Sequence, residues 1–220
     1  MTKKEKAMIQ KVAREVKHRF DKQESAHDWF HMLRVWRAAQ YIGKKEKADM
    51  FVVALGALLH DIADAKFHNG DHSVGPRRAK QLLKKFGVEK ETVERVADIV
   101  GKVSFGKSGR TQNMKTLEGK IVQDADRLDA VGAICIARIF TYGGFRKRPI
   151  YNPKIKPFKG MPIPLANKAD TSVHHFYEKT LDVKDLMNTK TGKRLAKNRH
   201  TFTENYLKQF FIEWDGKDLH

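Results

Sequence analysis

The stretch that decides the fold is ALGALLHDIADAKFH, from Ala54 to His68. It begins with a run that is apolar on every side, which is typical of a helix buried on all its faces. His60, Asp61 and Asp64 then interrupt this run. An imidazole or a carboxylate is costly to bury without a partner. The stretch therefore predicts a core helix whose polar end either pairs with other groups in the fold or is kept there for function.

Helical patterns fill most of the remaining chain. We expect helices over about 3–22, from near 23–28 to Gly43, over 47–61, 76–87, 89–103 and 115–142, and again over 171–187 and 190–214. Neither strand-like alternation nor an internal repeat is evident. The sequence therefore predicts an all-α fold, a single helical-bundle domain over 1–220 with about seven to nine helices.

Residues 143–168 differ in composition from the rest. They hold every proline except Pro76 and are rich in Lys and Arg. Aromatic and apolar residues recur among them, so we interpret the segment as a long ordered loop or lid and not as a linker. This divides the predicted domain into a core over about 20–142, a basic loop over 143–168 and a C-terminal helical extension over 169–215.

The chain is strongly basic, with 44 Lys and Arg against 26 Asp and Glu and a net charge of +18. Such a field concentrates anionic ligands, which favours a nucleotide or nucleic-acid partner, although a lysine-rich solvated surface would give the same count. No apolar run approaches the ~20 residues of a membrane span, and the N-terminus does not read as a signal peptide. With Cys135 as its single cysteine, we expect a cytoplasmic protein without a disulfide framework.

Histidines and aspartates are grouped in four places on this helical background. The groups are His27 with His31, His60-Asp61 with Asp64, His68 with His72, and Asp124, Asp126 and Asp129. Each alone would be an ordinary core or surface residue. Together, in apolar helices that must pack on one another, they form the His and carboxylate mixture that a divalent transition metal requires.

Three motifs carry a resemblance to a known family. HDWFHMLRVW, LLHDIAD and QDADRLDAVGA occur in that order, and they resemble the H…HD…D signature of the HD-domain metal-dependent phosphohydrolases, an all-helical superfamily. The later segments GGFRKRPIY, HHFYEKTLDVKDLMNTKTGKRLA and WDG resemble a bacterial stand-alone group of that superfamily, some of whose members are nucleotide pyrophosphohydrolases. The resemblance covers nearly the whole chain.

The resemblance implies a role for each matching position. It implies four metal ligands, His31, His60, Asp61 and Asp126, and a structural role for Asp129. Asp64 corresponds to an acid near the attacking water, and His68 and His72 to histidines that contact a second metal or a phosphate. The fifth helix has GKVSF where two-metal members carry a His-His pair, so we expect one divalent ion, Mn²⁺ first, with Mg²⁺, Fe²⁺, Ni²⁺ or Co²⁺ as alternatives.

Fixed cations are needed to neutralise the negative charge that develops on the oxygens of a phosphoryl group. Arg34, one turn after His31, is the first candidate, and Lys66 and Arg127 are the next. An ion pair of Arg34 with Asp61 or Asp64 is the alternative. Asp64 is predicted to orient or deprotonate the attacking water if it lies within hydrogen-bonding reach.

The basic loop offers further substrate contacts. Arg146 and Tyr151 lie in it, and we interpret it as a cover for a nucleotide; the alternative is a surface loop whose aromatic residues pack on the core. The resemblance adds His175 and Lys179, and His27 completes the predicted substrate-binding set.

The predicted activity is hydrolysis of a (deoxy)nucleoside triphosphate to the monophosphate and pyrophosphate. A 5′-nucleotidase or a phosphodiesterase of the same superfamily is an alternative, as is a non-catalytic module that binds nucleotides or nucleic acid. We expect a small phosphorylated substrate as the main partner and no membrane. The sequence leaves open whether the protein is a monomer or a homodimer.

Overall fold

The computed structural model describes residues 1–20, 28–63, 71–103, 114–156 and 170–219. In these ranges the α-helices are α1 Lys3–Phe20, α2 Trp29–Glu46, α3 Met50–Leu59, α4 Val74–Lys85, α5 Lys90–Lys102, α6 Leu117–Leu128, α7 Ala133–Phe145, α8 His174–Glu178 and α9 Lys190–Trp214. A 3-10 helix covers Thr180–Leu186, and the same ranges contain no strand. The predicted all-α class and number of helices are confirmed.

The described residues divide into two compact units. The first contains α1 to α5 and α6 as far as Asp126, and the second contains the chain from Arg127 onward. Each is described by itself below, and the single domain over 1–220 stays a prediction.

Helix α3 is the centre of the first unit. All residues from Val52 to Leu59 are buried, and the helix packs against α1, α2 and α5. Its first turn is capped by Asp49, whose side chain accepts hydrogen bonds from two backbone N–H groups, as a good N-cap residue does. At about 1.5–3 kcal/mol for each large apolar side chain, this burial holds the end of α3 firmly in place.

The second unit is built around an aromatic core. Cys135, Ile136, Ile139, Val173, Phe176 and Leu207 are its buried members. The rings of Phe140, Tyr206 and Phe210 pack against it, mostly in tilted or edge-to-face pairs, the arrangement that ring quadrupoles favour.

The long helix predicted over 115–142 is wrong: it is two helices, α6 and α7. Gly132 separates them at φ 91° and ψ −166°, a region that is essentially restricted to glycine. Its N–H donates to Thr203 Oγ1 at 3.0 Å, and Arg199 donates to the carbonyl of Leu128. Because α9 satisfies these backbone groups, the chain can leave the helix here.

The helix boundaries around α8 and at the end of α2 also differ from the prediction. The helix predicted over 171–187 is the short α8 followed by the 3-10 helix, with Lys179 at φ −139° and ψ −54° between them. Helix α2 ends at Glu46 and not at Gly43, with Lys47 in the left-handed conformation at φ 58°. At Gly43, a Cβ would lie 2.9 Å from Met50 Sδ, so a larger residue there would require the Met50 side chain to shift.

Among the described residues, no single helix combines the length and apolar character needed to cross a membrane. One bent pair, Leu117–Leu128 with Ala133–Phe145, meets that criterion only by length and composition.

Candidate metal centre

The first predicted ligand, His31, lies in the first turn of α2. Asp28 is the N-cap of this helix, and its Oδ1 accepts a hydrogen bond from the backbone N–H of His31 at 2.8 Å. The cap fixes where the helix begins and therefore where the imidazole is presented. His31 is only 2% exposed.

The second and third ligands follow the end of α3. His60 is the C-cap residue, and its Nδ1 lies 2.8 Å from the carbonyl oxygen of Ala57. A carbonyl can only accept, so Nδ1 carries the proton and the neutral imidazole presents Nε2 as a lone-pair donor. A hydrogen bond of this kind, from the nitrogen that faces away from the site, orients metal-binding histidines.

Asp61 and Asp126 each place a carboxylate oxygen beside both imidazoles. His31 Nε2 and His60 Nε2 are 3.2 Å apart. Asp126 Oδ1, from α6, lies 3.5 Å and 3.7 Å from these two nitrogens, and Asp61 Oδ2 lies 3.6 Å and 3.5 Å from them. The donor atoms of His31, His60 and Asp126 all lie within 4.8 Å of one another, whereas Asp61 is close to both imidazoles but is not part of this mutual set.

This donor set fits a divalent ion. Bonds of about 2.0–2.2 Å to imidazole nitrogen and carboxylate oxygen place adjacent ligand atoms about 3.0–3.5 Å apart, and the separations above are close to that range. Two imidazoles and two carboxylates form a mixed donor set that suits transition metals such as Mn²⁺, Fe²⁺ or Zn²⁺. The imidazoles are almost fully buried, whereas the side chains of Asp61 and Asp126 are 11% and 23% exposed, so solvent can reach the carboxylate side.

The three aspartates in and just after α6 have different surroundings. Asp126 faces the imidazoles, whereas Asp124 is fully buried and is not part of the cluster. Asp129 is buried and accepts a hydrogen bond from Arg138 Nη1 at 2.8 Å, which agrees with the structural role implied by the resemblance.

Several residues that were predicted to act in catalysis or to bind the substrate cannot be placed. Asp64, Lys66, His27 and His68 lie outside the described residues. His72 is exposed and, within the described ranges, does not belong to the donor cluster. Arg34 is half-buried on α2, one turn after His31.

Arg127 and Tyr151, predicted to contact the substrate, make structural contacts in the second unit. Arg127 is 2% exposed and donates from Nη1 to the carbonyl of Leu186. The ring of Tyr151 lies 5.3 Å from that of Phe211 and 5.1 Å from that of Trp214, so this part of the basic loop packs its aromatic residue on the core.

The other three residues of this unit that were predicted to contact the substrate lie on or near α7 and α8. Arg146 is exposed just after α7, and His175 and Lys179 are half-buried. The substrate roles of all five residues in this unit stay predictions.

Two polar residues of α8 were missed by sequence reasoning. His174 is 1% exposed and Glu178 is 7% exposed. Burial is the main cause that raises the pKa of the Glu178 carboxyl, with Asp170 adding to it and Arg148 opposing it. Burial lowers the pKa of His174. Their spacing, one turn apart in HHFYE, is the only sequence signal that pointed to a shared face.

A family comparison agrees with this geometry. The family model described as HD domain matches residues 29–131, a range that includes all four donors. The chain is also similar to the uncharacterized protein YpgQ of Bacillus subtilis, with 38% identity over 197 residues that cover 89% of this chain and 88% of YpgQ.

Solved structures give the same picture. An HD-superfamily hydrolase from Bacillus thuringiensis is 39% identical, with a TM-score of 0.78 over 96% of this chain and 98% of its own. The crystal structure of Bacillus subtilis YpgQ in complex with ADP is 33% identical in the structural alignment, with a TM-score of 0.76 over 95% of this chain and 96% of its own.

Proposed function

We infer the reaction of this chain from its family: it belongs to the HD domain family and is a hydrolase of the HD superfamily. We propose that it is a metal-dependent phosphohydrolase of nucleotides, which cleaves a (deoxy)nucleoside triphosphate to the monophosphate and pyrophosphate. The observation that carries the proposal is the cluster of two imidazole and two carboxylate donors, buried on the imidazole side and accessible on the carboxylate side.

The side chains of the cluster have separate parts in this proposal. His31, His60, Asp61 and Asp126 would hold one divalent ion, with Mn²⁺ the first candidate. Such an ion lowers the pKa of bound water toward neutrality and polarises a phosphoryl oxygen. Asp64 is proposed to accept the proton of the attacking water, and Arg34 to neutralise charge on the phosphate.

A nucleotide is the proposed substrate for two reasons. The crystal structure of the relative YpgQ holds ADP, and the net charge of +18 favours capture of a polyanion. Phosphoryl transfer depends mainly on positioning and electrostatic stabilisation, which fixed cations and a divalent ion supply without covalent chemistry by the protein.

The test is an assay of the purified full-length chain with Mn²⁺ against nucleoside tri-, di- and monophosphates and a phosphodiester. Pyrophosphate and orthophosphate are measured separately, because pyrophosphate release marks the proposed reaction whereas orthophosphate from monophosphates marks a 5′-nucleotidase. Asp126→Asn should lower kcat/KM by more than about 100-fold, since changes to groups that only support metal ligands already cost 10- to 100-fold. Asp98→Asn, an exposed aspartate on α5, is the matched control.

The proposal is rejected if no phosphorylated compound of the panel is turned over, or if Asp126→Asn retains the activity of the control. Turnover of the phosphodiester alone would identify a phosphodiesterase of the same superfamily instead.

A further inference from the structure

A patch of exposed apolar and basic side chains lies on the second unit where α7 ends. Its members are Tyr142, Phe145, Arg146, Lys147 and Ile150, which we call the α7 patch. Phe145 is 80% exposed, Ile150 56% and Tyr142 40%. Single exposed apolar residues are ordinary on protein surfaces, but here the rings of Tyr142 and Phe145 also lie 6.5 Å apart, and adjoining exposed apolar surface marks an interaction site.

Cations are interleaved with these rings. The segment from Thr141 to Lys156 contains five Lys or Arg residues and no Asp or Glu. Arg146 and Lys147 are exposed, and the guanidinium of Arg148 lies 5.6 Å from the centroid of the Tyr142 ring. The patch therefore combines a positive surface potential with exposed aromatic rings.

The backbone under the α7 patch is fixed by the way α7 ends. The N–H of Arg148 donates to the carbonyl of Gly143 at 2.9 Å, and that of Lys147 to the carbonyl of Gly144 at 3.0 Å. Together with the left-handed conformation of Lys147 at φ 54°, these bonds form a Schellman motif. The exposed side chains thus project from an ordered turn, which lowers the entropic cost of binding.

We propose that the α7 patch binds single-stranded nucleic acid. A base stacks on the face of Phe145, and Arg146 and Lys147 contact the flanking phosphates, which is how aromatic platforms and cationic grooves bind single strands. This proposal concerns residues other than the four metal ligands and does not depend on the proposed hydrolysis.

Two other occupants fit the patch less well. A second copy of the chain docked by the same patch would bring the Arg146, Lys147 and Arg148 cations of both copies together, which charge repulsion opposes. An anionic membrane favours an apolar tip with a separate basic rim, whereas here each exposed ring has a cation next to it.

The experiment measures fluorescence anisotropy of a labelled single-stranded oligonucleotide of about 12 nucleotides, titrated with the full-length protein at several salt concentrations. Phe145→Ser should weaken binding roughly 5- to 150-fold, the effect of losing one stacked base. Lys147→Asn should reduce the slope of log affinity against log salt by about 0.7, the value for one phosphate contact on a single strand.

Matched controls are available on the same chain. Phe202 is 52% exposed on α9, so Phe202→Ser removes an exposed ring elsewhere. Lys47 is also a left-handed lysine at the end of a helix, at φ 58°, and Lys47→Asn repeats the charge change on the first unit. Both controls should bind as the wild type does.

Four results would overturn the proposal. They are no oligonucleotide binding at moderate salt, equal losses in the patch variants and their controls, displacement of the oligonucleotide by excess nucleoside triphosphate, and binding only to anionic vesicles. Concentration-dependent dimers that Phe145→Ser abolishes, without oligonucleotide binding, would assign the patch to self-association.

Discussion

Substitution of Gly132 by alanine should destabilise the protein by about 3 kcal/mol. A non-glycine residue at φ 91° and ψ −166° costs of the order of 1–3 kcal/mol. The new Cβ would also lie 3.1, 3.2 and 3.4 Å from Cβ, Cγ and Cδ of Arg199. Displacement of that side chain disturbs its hydrogen bond to the carbonyl of Leu128, and hydrogen bonds from charged groups contribute about 1.5–3 kcal/mol.

The assay is thermal unfolding followed by far-UV circular dichroism. At about 2–4 °C per kcal/mol for a chain of this size, Gly132→Ala should lower Tm by roughly 6–12 °C. Gly144→Ala is the control, because a Cβ added to this helical glycine would meet no heavy atom within 4 Å, and alanine should stabilise the helix by about 0.5–1 kcal/mol.

A double variant separates the two contributions. If Arg199→Ala is made first, the contacts with Cγ and Cδ and the hydrogen bond to Leu128 are removed, and only the Cβ contact at 3.1 Å remains. Gly132→Ala should then cost less than in the wild type, by the part that Cγ, Cδ and the hydrogen bond contribute. A Tm for Gly132→Ala within about 2 °C of the wild type would refute the assigned backbone conformation and, with it, the break between α6 and α7.

Metal binding, pH and the end of α2 each give a further prediction. Mn²⁺ at about 1,000 times its Kd should raise the Tm of the wild type by roughly 8–16 °C. Asp126→Asn should lose most of this shift, whereas the control Asp98→Asn should keep it. An equal shift in both variants would contradict the metal centre. Burial raises the pKa of Glu178 in the folded protein, so the wild type loses stability as pH rises above the ordinary glutamate pKa of about 4.3. The Tm advantage of Glu178→Gln should therefore grow as pH rises above about 4, and an advantage independent of pH would refute this. Lys47→Gly should raise the free energy of unfolding, measured in urea, by about 0.5–1 kcal/mol, because glycine relieves the strain of the left-handed conformation. Lys44→Gly, inside α2, should lower it. A less stable Lys47→Gly and a more stable Lys44→Gly would contradict the assigned end of α2.

The sequence predicted helices wherever the hydrophobic period was local, and it failed where distant residues decide the backbone. Helix α9 was predicted with the bounds that the structure has, Lys190–Trp214. The break at Gly132 was missed because the apolar pattern continues through it. The groups that make the break favourable, Arg199 and Thr203, lie about 70 residues further along the chain, where a local pattern cannot register them.

The candidate site shows the same division between features that the sequence predicts and features that only the tertiary structure decides. The resemblance to the HD-domain family, and not a local pattern, chose Asp126 over Asp124 and implied that it would lie beside His31 and His60. The hydrogen bond between His60 Nδ1 and the carbonyl of Ala57 could not be predicted. It depends on the exact residue at which α3 ends, and a shift of one residue would remove it.

Tyr151 illustrates a choice that sequence leaves open. An aromatic residue in a basic loop fits stacking on a nucleotide and packing on the core equally well. The edge-to-face contacts with Phe211 and Trp214 come from the far end of α9, so only the tertiary structure could decide that the ring packs on the core.

The charge distribution reconciles an acidic centre with a basic chain. Asp61 and Asp126 place two formal negative charges beside buried imidazoles, while the chain as a whole carries +18. The carboxylate oxygens lie 3.5–3.7 Å from the imidazole nitrogens, so they would act on a cation held beside them at short range, whereas the net charge acts on anions over about a Debye length. The two fields therefore do not cancel: in the proposed function the local one would select the metal, and the long-range one would concentrate phosphorylated ligands around the protein.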